Sequence, residues 1–171
     1  NGREETTTLC LIPLIREAVS IPLIAAGGIA SGSAMLAVMA LGADAVQVGS
    51  RFVATEESSA HLQFKQKVIA AVEGETVLTL KEITPVRLMR NAFYAEIQQA
   101  YERCASVEEL KNILGRARAK KGMFEGDLQQ GELEIGQVSS LIRDIKPAAA
   151  VLEQLLREYA AAKKRMLESE P

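Results

Sequence analysis

Two short apolar runs, residues 23–26 and 45–48, each end in glycine: Gly27-Gly28 follows the first and Gly49-Ser50 the second. Between them lies a stretch of small residues, 31–41, closed by Gly42. Apolar runs this short, without polar alternation, predict parallel strands covered on both faces. Ser31 or Ser33 can cap the intervening helix, and Gly42 stands where a helix turns left-handed past its end. Strand, helix, strand with short loops demands a right-handed parallel unit, so the fold class is α/β, an open sheet or a barrel. Two parallel strands do not make an independent sheet, so further strands are expected upstream of Asn1. The polar opening Asn1-Gly2-Arg3-Glu4-Glu5, without an initiator Met, carries the same expectation of a fragment.

The glycines also carry the chemistry. A phosphate needs several donors aimed at one spot, and backbone N–H groups between a strand and a helix supply them. Glycine lets the anion approach the main chain because it has no Cβ. Gly28 and Gly49 are one strand–helix–strand unit apart, and neighbouring parallel strands lie ~4.8 Å apart. Loops leaving the same ends of two such strands can grip one phosphate, and Ser50 adds a hydroxyl. This arrangement is known from the last two loops of eight-stranded α/β barrels. Arg51 can either face the ligand or turn away into an ion pair. The glycines lack the G-x-G-x-x-G spacing of a dinucleotide fold, and no Walker lysine follows them.

The rest of the chain bounds its partners. It has 171 residues, 48% hydrophobic and 25% charged, with a net charge of −2. That balance gives no reason to expect nucleic acid or an anionic membrane as partner. No apolar run is long enough for a spanning helix. Cys10 and Cys104 lack metal-ligand spacing and read as reduced thiols of a cytoplasmic protein. No metal site is expected. Helices are predicted over 9–19, 55–72, 86–103, about 107–120 and 137–167, the last with a second start at Pro147. A short strand is predicted at 76–80 and a glycine-rich loop at 121–136. Ser106 and Glu109 form a capping box. His61 falls in a predicted helix and reads as a packed residue, not as a base.

At GREETTT (2–8), IPLIAAGGIASG (21–32), LGADAVQVGSRF (41–52), AH (60–61), PVRLMRN (85–91) and EGDLQQGELEIGQVSSLI (125–142) the sequence resembles the nitronate monooxygenase family, formerly called 2-nitropropane dioxygenases. It is similar also to the related flavin-dependent enoyl-acyl-carrier-protein reductases. The resemblance implies the C-terminal part of a TIM-type (β/α)₈ FMN barrel, its last two strands plus a helical lid insert. It implies barrel over 1–75, lid over 76–136, and helices packing back on the barrel over 137–171. Gly27, Gly28, Gly49 and Ser50 would hold the FMN phosphate, Gln47 would line the same site, and Gln137 and Ser139 would face the substrate. The family's catalytic histidine, in a Glu-Ala-Gly-Gly-His stretch, would precede Asn1, so no catalytic residue is expected within these residues. Alone, they are expected to be inactive.

Two activities follow from that resemblance. One is oxidation of alkyl nitronates with O2 through FMN. The other is reduction of an enoyl thioester with NAD(P)H, for which Lys111, Arg116, Arg118, Lys120 and Lys121 offer a basic surface to an acidic carrier protein, unless they are merely a solvated helix face. A non-enzymatic module binding a phosphate ligand is a third reading. The expected partner is a small-molecule substrate, and a homodimer is possible.

Overall fold

The computed structural model describes residues 6–168. Helix α1 (Thr8–Ala18), strand β1 (Ile24–Ala26), helix α2 (Gly32–Ala40) and strand β2 (Ala45–Gln47) follow one another as the apolar pattern predicts. The strands are parallel, with Ala26 opposite Gln47. The Ser31 hydroxyl accepts the Ala34 N–H at 3.2 Å and caps α2, and Gly42 takes a φ of 106° just past its end. Asp44 locks the opposite edge of the pair: its carboxylate accepts the Leu23 N–H at 2.8 Å and pairs with Arg16 at 3.0 Å. The expected cover on both faces is met on one face only among the described residues. Ile12, Ile29, Val38 and Ala43 pack around Ala25, while Ile24, Ala26, Ala45 and Gln47 face outward.

A short helix, α3 (Ser50–Val53), follows β2, and α4 covers only Leu62–Ile69, not the predicted 55–72. The backbone at 55–56 is used elsewhere. The Glu56 N–H donates to the Lys146 carbonyl at 3.1 Å, and the buried Lys65 ammonium donates to the Thr55 and Glu56 carbonyls at 2.6 and 3.2 Å. A helical ladder would need those same groups.

Residues 86–89 also depart from the helix expected after Pro85. They form β4 (Val86–Met89), antiparallel to β3 (Thr76–Thr79). The far side of β4 bonds to the 133–135 segment, through Met89 N–H to Leu133 O at 2.9 Å and Ile135 N–H to Arg87 O at 3.2 Å. Helix α5 (Ala92–Glu102) begins only after Asn91, whose side chain accepts the Tyr94 N–H at 2.8 Å. The capping box at Ser106 and Glu109 is present and opens α6 (Val107–Leu114), which stops at Gly115 instead of running to 120. A π-helical turn at Lys120–Phe124 and a 3-10 turn at Gln137–Leu141 follow. Helix α7 (Ala148–Glu168) starts directly after Pro147, and residues 142–147 are not helical, being held beside Thr55 through Lys146.

The large buried side chains lie downstream of the glycine loops. One cluster gathers Phe64, Val68, Met89, Leu133 and Ile142, and another gathers Leu88, Phe93, Ile97 and Leu110. Each such side chain contributes about 1.5–3 kcal/mol on burial. The core beneath β1 and β2 holds smaller residues and leans on α7. A Cβ at Gly32 would run into the Tyr159 nitrogen and the Leu155 carbonyl, so α2 and α7 touch backbone to backbone. The Gly32 N–H donates to the Glu158 carboxylate at 2.9 Å across that contact.

Candidate functional site

Because β1 and β2 run parallel and in register, the loops after Ala26 and Gln47 leave the same edge side by side. Gly27 and Gly28 have φ of 93° and 75°, a region that side chains with a Cβ rarely enter. A Cβ at Gly27 or Gly49 would meet nothing within 4 Å, and one at Gly28 would meet only the Thr8 hydroxyl at 4.0 Å. In the loop and cap hydrogen bonds of the described residues, the N–H groups of Gly28 and Gly49 donate to nothing. The glycine edge therefore offers open space and unspent donors, as an anion cradle requires. The N-terminus of α2 is not part of it, since Glu158 already holds the Gly32 N–H.

Ser50 faces the 136–137 segment. Its Oγ accepts the Gly136 N–H at 3.0 Å, which leaves the hydroxyl proton free to donate. Gly136 has to be small, because a Cβ there would sit 2.7 Å from Ser50 Oγ. Arg51 turns away from this edge. It is 6% exposed, pairs with Asp144 at 2.6 Å and donates to the Ala54 and Asp144 carbonyls, both at 3.2 Å. Of its two alternatives the ion pair is realised.

Two clefts flank the edge. The first, about 330 Å³, is lined by Gly28, the 72–76 turn, Gln137 and Ser140 among others. The second, about 280 Å³, is lined by Gly49, Ser50, Val53, Arg87, Glu134, Ile135 and Gly136. They share a wall: Arg87 in the second donates to the carbonyl of Thr76 in the first at 3.2 Å. The structure thus brings Gly28 together with Gln137, and Gly49 together with Ser50. Gln47 lies on the outward face of β2, opposite Ala26. Ser139, grouped with Gln137 by the resemblance, is buried at 1% with no hydrogen-bond partner for its hydroxyl; the cleft is lined by Ser140 instead.

Several residues beside the site carry no sequence signal of their own. Arg87 and Glu134 reach the second cleft only because β4 and the 133–135 segment pair. Glu132, on the same segment, is buried, and its carboxyl is pushed up to about 7 by that burial and by the charge of Glu134, with Arg118 acting in opposition. His61 is not inside a helix. It is the N-cap of α4, where its Nδ1 accepts the Gln63 N–H at 3.3 Å, and its ring lies against Gly126. Cys10 lies exposed on α1, and Cys104 is exposed just beyond α5. Among the described residues no three His, Cys, Asp or Glu side chains converge, and no helix is long and apolar enough to cross a membrane.

Parallel strand–helix units whose glycine loops open at one edge define an α/β scaffold with an anion-accepting edge, and comparison with known proteins narrows it. The profile of the nitronate monooxygenase family matches residues 1–158. The chain belongs to the nitronate monooxygenase family of oxidoreductases. A probable nitronate monooxygenase of Bacillus subtilis is 34% identical over 159 residues, which make up 92% of this chain and 45% of that protein. The chain thus spans less than half the length of this relative. FabK from Thermotoga maritima is 38% identical and superposes with a TM-score of 0.85 over 95% of this chain and 52% of that one. Nitroalkane oxidase from Streptomyces ansochromogenes is 35% identical, with a TM-score of 0.73 over 93% of this chain and 45% of that one.

Proposed function

We propose that this chain tethers FMN in a flavin-dependent oxidoreductase that oxidises alkyl nitronates with O2. In this reading β1 and β2 are the seventh and eighth strands of a (β/α)₈ barrel. Residues 76–136 are a lid, and 137–171 pack back on the barrel. The observation that carries it is the pair of open glycine loops on one strand edge, with the N–H groups of Gly28 and Gly49 unspent. Gly27, Gly28 and Gly49 let the phosphate reach the main chain, and the free proton of Ser50 donates to it. Gln47 lies along the same edge, and Gln137, in the cleft with Gly28, faces the substrate. Ser139 would act from behind that cleft, through the turn that carries Gln137. The bound flavin supplies the electron acceptor; these residues place it and assign no proton transfer to this chain.

Gly49→Val is the direct test. Gly49 has a φ of −100°, so valine brings no left-handed strain, and nothing lies within 4 Å of its Cβ. The variant is expected to fold and to purify without flavin. A folded Gly49→Val protein with full flavin content overturns the reading.

The likeness to FabK lends weight to a second reading, enoyl-thioester reduction with NAD(P)H. The basic stretch that would meet a carrier protein is partly neutralised within the chain. Lys111 pairs with Glu108 at 3.7 Å, Lys120 with Glu125 at 3.3 Å and Lys121 with Asp127 at 3.1 Å, while Arg118 stacks on Phe93 at 4.6 Å. Oxygen uptake with a nitronate, against NAD(P)H oxidation with an enoyl thioester, separates the two.

A further inference from the structure

We propose that Arg87 is the counter-charge for the phosphate held over the Gly49–Ser50 loop. The inference rests on the phosphate-tether reading above. It starts from where the fold puts the guanidinium. Arg87 lies within β4, opposite Leu78 on one side and bonded through its carbonyl to Ile135 on the other. Its stem is therefore fixed by backbone pairing on both flanks, and its side chain lines the cleft that also contains Gly49 and Ser50.

The partners of Arg87 leave most of its donors unspent. Nη1 donates to the Thr76 carbonyl at 3.2 Å and, at the long limit of 3.5 Å, to the Thr76 hydroxyl. Among the described residues no carboxylate stands within ion-pairing distance of Arg87, and Glu134, paired with Leu88, shares the other face of the strands. Arg16 and Arg51 behave differently: each closes an ion pair, with Asp44 at 3.0 Å and Asp144 at 2.6 Å. A planar fork with free N–H groups, beside an unspent backbone N–H and a serine proton, matches the several oxygens of a phosphate. Without Arg87 the entering phosphate meets only neutral donors in this cleft.

The guanidinium then discriminates between flavins. FMN and riboflavin share the ring and the ribityl chain and differ in the terminal phosphate. Titration of the intact flavin-free protein with FMN and with riboflavin, followed by quenching of flavin fluorescence, reads the difference. Arg87→Met is expected to weaken FMN binding about tenfold or more. Riboflavin affinity should stay within about twofold in that variant. Added salt should weaken FMN binding more in the natural protein than in Arg87→Met. Equal losses of FMN and riboflavin in Arg87→Met would mean that Arg87 acts only through its bond to Thr76, and would overturn the proposal. Should Arg87→Met not fold, Arg87→Gln, expected to lose the preference for FMN, and the charge-preserving Arg87→Lys, expected to keep it, decide the question. If the natural protein shows no preference for FMN over riboflavin, the phosphate tether itself fails and this inference falls with it. If Gly49→Val abolishes FMN binding while Arg87→Met does not, the tether stands and the role of Arg87 falls.

Discussion

Replacing Glu132 by glutamine should stabilise the protein above neutral pH and leave it nearly unchanged in acid. Glu132 is 6% exposed, and its carboxyl is raised from 4.5 to about 7 by burial first and by Glu134 second. The folded protein therefore holds this proton where the unfolded chain has released it. Stability from this group is fully present below about pH 4.5, is lost as pH rises toward 7, and stays lost above that. Since a tenfold change in proton affinity is worth about 1.4 kcal/mol, the full penalty comes to about 3 kcal/mol. At pH 5 less than about 1 kcal/mol of it has been incurred. Glutamine keeps the shape and cannot ionise, so the variant should gain about 2 kcal/mol relative to the natural protein between pH 5 and pH 8. Urea denaturation at the two pH values measures this as a difference in midpoint at constant slope. A difference between the two proteins that is the same at pH 5 and pH 8 would refute the reasoning. Glu134→Gln offers an internal check, because removing the neighbouring charge should shift the transition of Glu132 to lower pH.

Gly32→Ala should cost about 3 kcal/mol or more, read as a fall in melting temperature, because its Cβ has only backbone of α7 to move against. Gly49→Ala, with open space around it, should leave the melting temperature within a degree or so while lowering flavin content. Tyr101→Phe should cost about 1–2 kcal/mol in urea denaturation: the Tyr101 hydroxyl accepts the N–H of buried Leu80 at 3.1 Å and donates to Glu82 at 2.7 Å. Asp144→Ala should destabilise by about 2 kcal/mol, since it leaves the buried Arg51 guanidinium with carbonyl partners only, and Asp144 is itself partly solvated.

The glycine-bounded unit was legible because its signals are local. Apolar runs, a serine cap and a glycine after the helix act within a few residues of one another, and the parallel pairing follows from the crossover they force. The misread stretches are those where distant backbone competes. At 55–61 the carbonyls go to Lys65 and the chain pairs with Lys146, so helical propensity does not decide the outcome. At 86–89 the helix expected after Pro85 gives way to pairing with β3 and the 133–135 segment. Arg51 was ambiguous for the same reason, since Asp144 is a partner 93 residues away.

The motifs that carry the family resemblance divide by physical role. Asn91, in PVRLMRN, donates through its side chain to the Leu128 and Gly131 carbonyls at 3.0 and 2.8 Å, stapling β4 to EGDLQQG. Within that second motif Asp127 accepts the Gln129 and Gln130 N–H groups at 3.1 and 2.8 Å, Gly131 lies against the backbone of Gly122, and Gly126 lies against His61. These residues fix a shape and touch neither cleft. The staple nevertheless bears on the site, because it sets the segment that runs on through Glu134, Gly136 and Gln137. Arg87 and the backbone of 134–136 therefore meet Gly49 and Ser50 in one cleft only while Asn91 holds the two motifs together. Asn91→Ala should on that account lower flavin affinity as well as stability, although Asn91 lines neither cleft. A variant that loses stability and keeps its flavin affinity would separate the staple from the site.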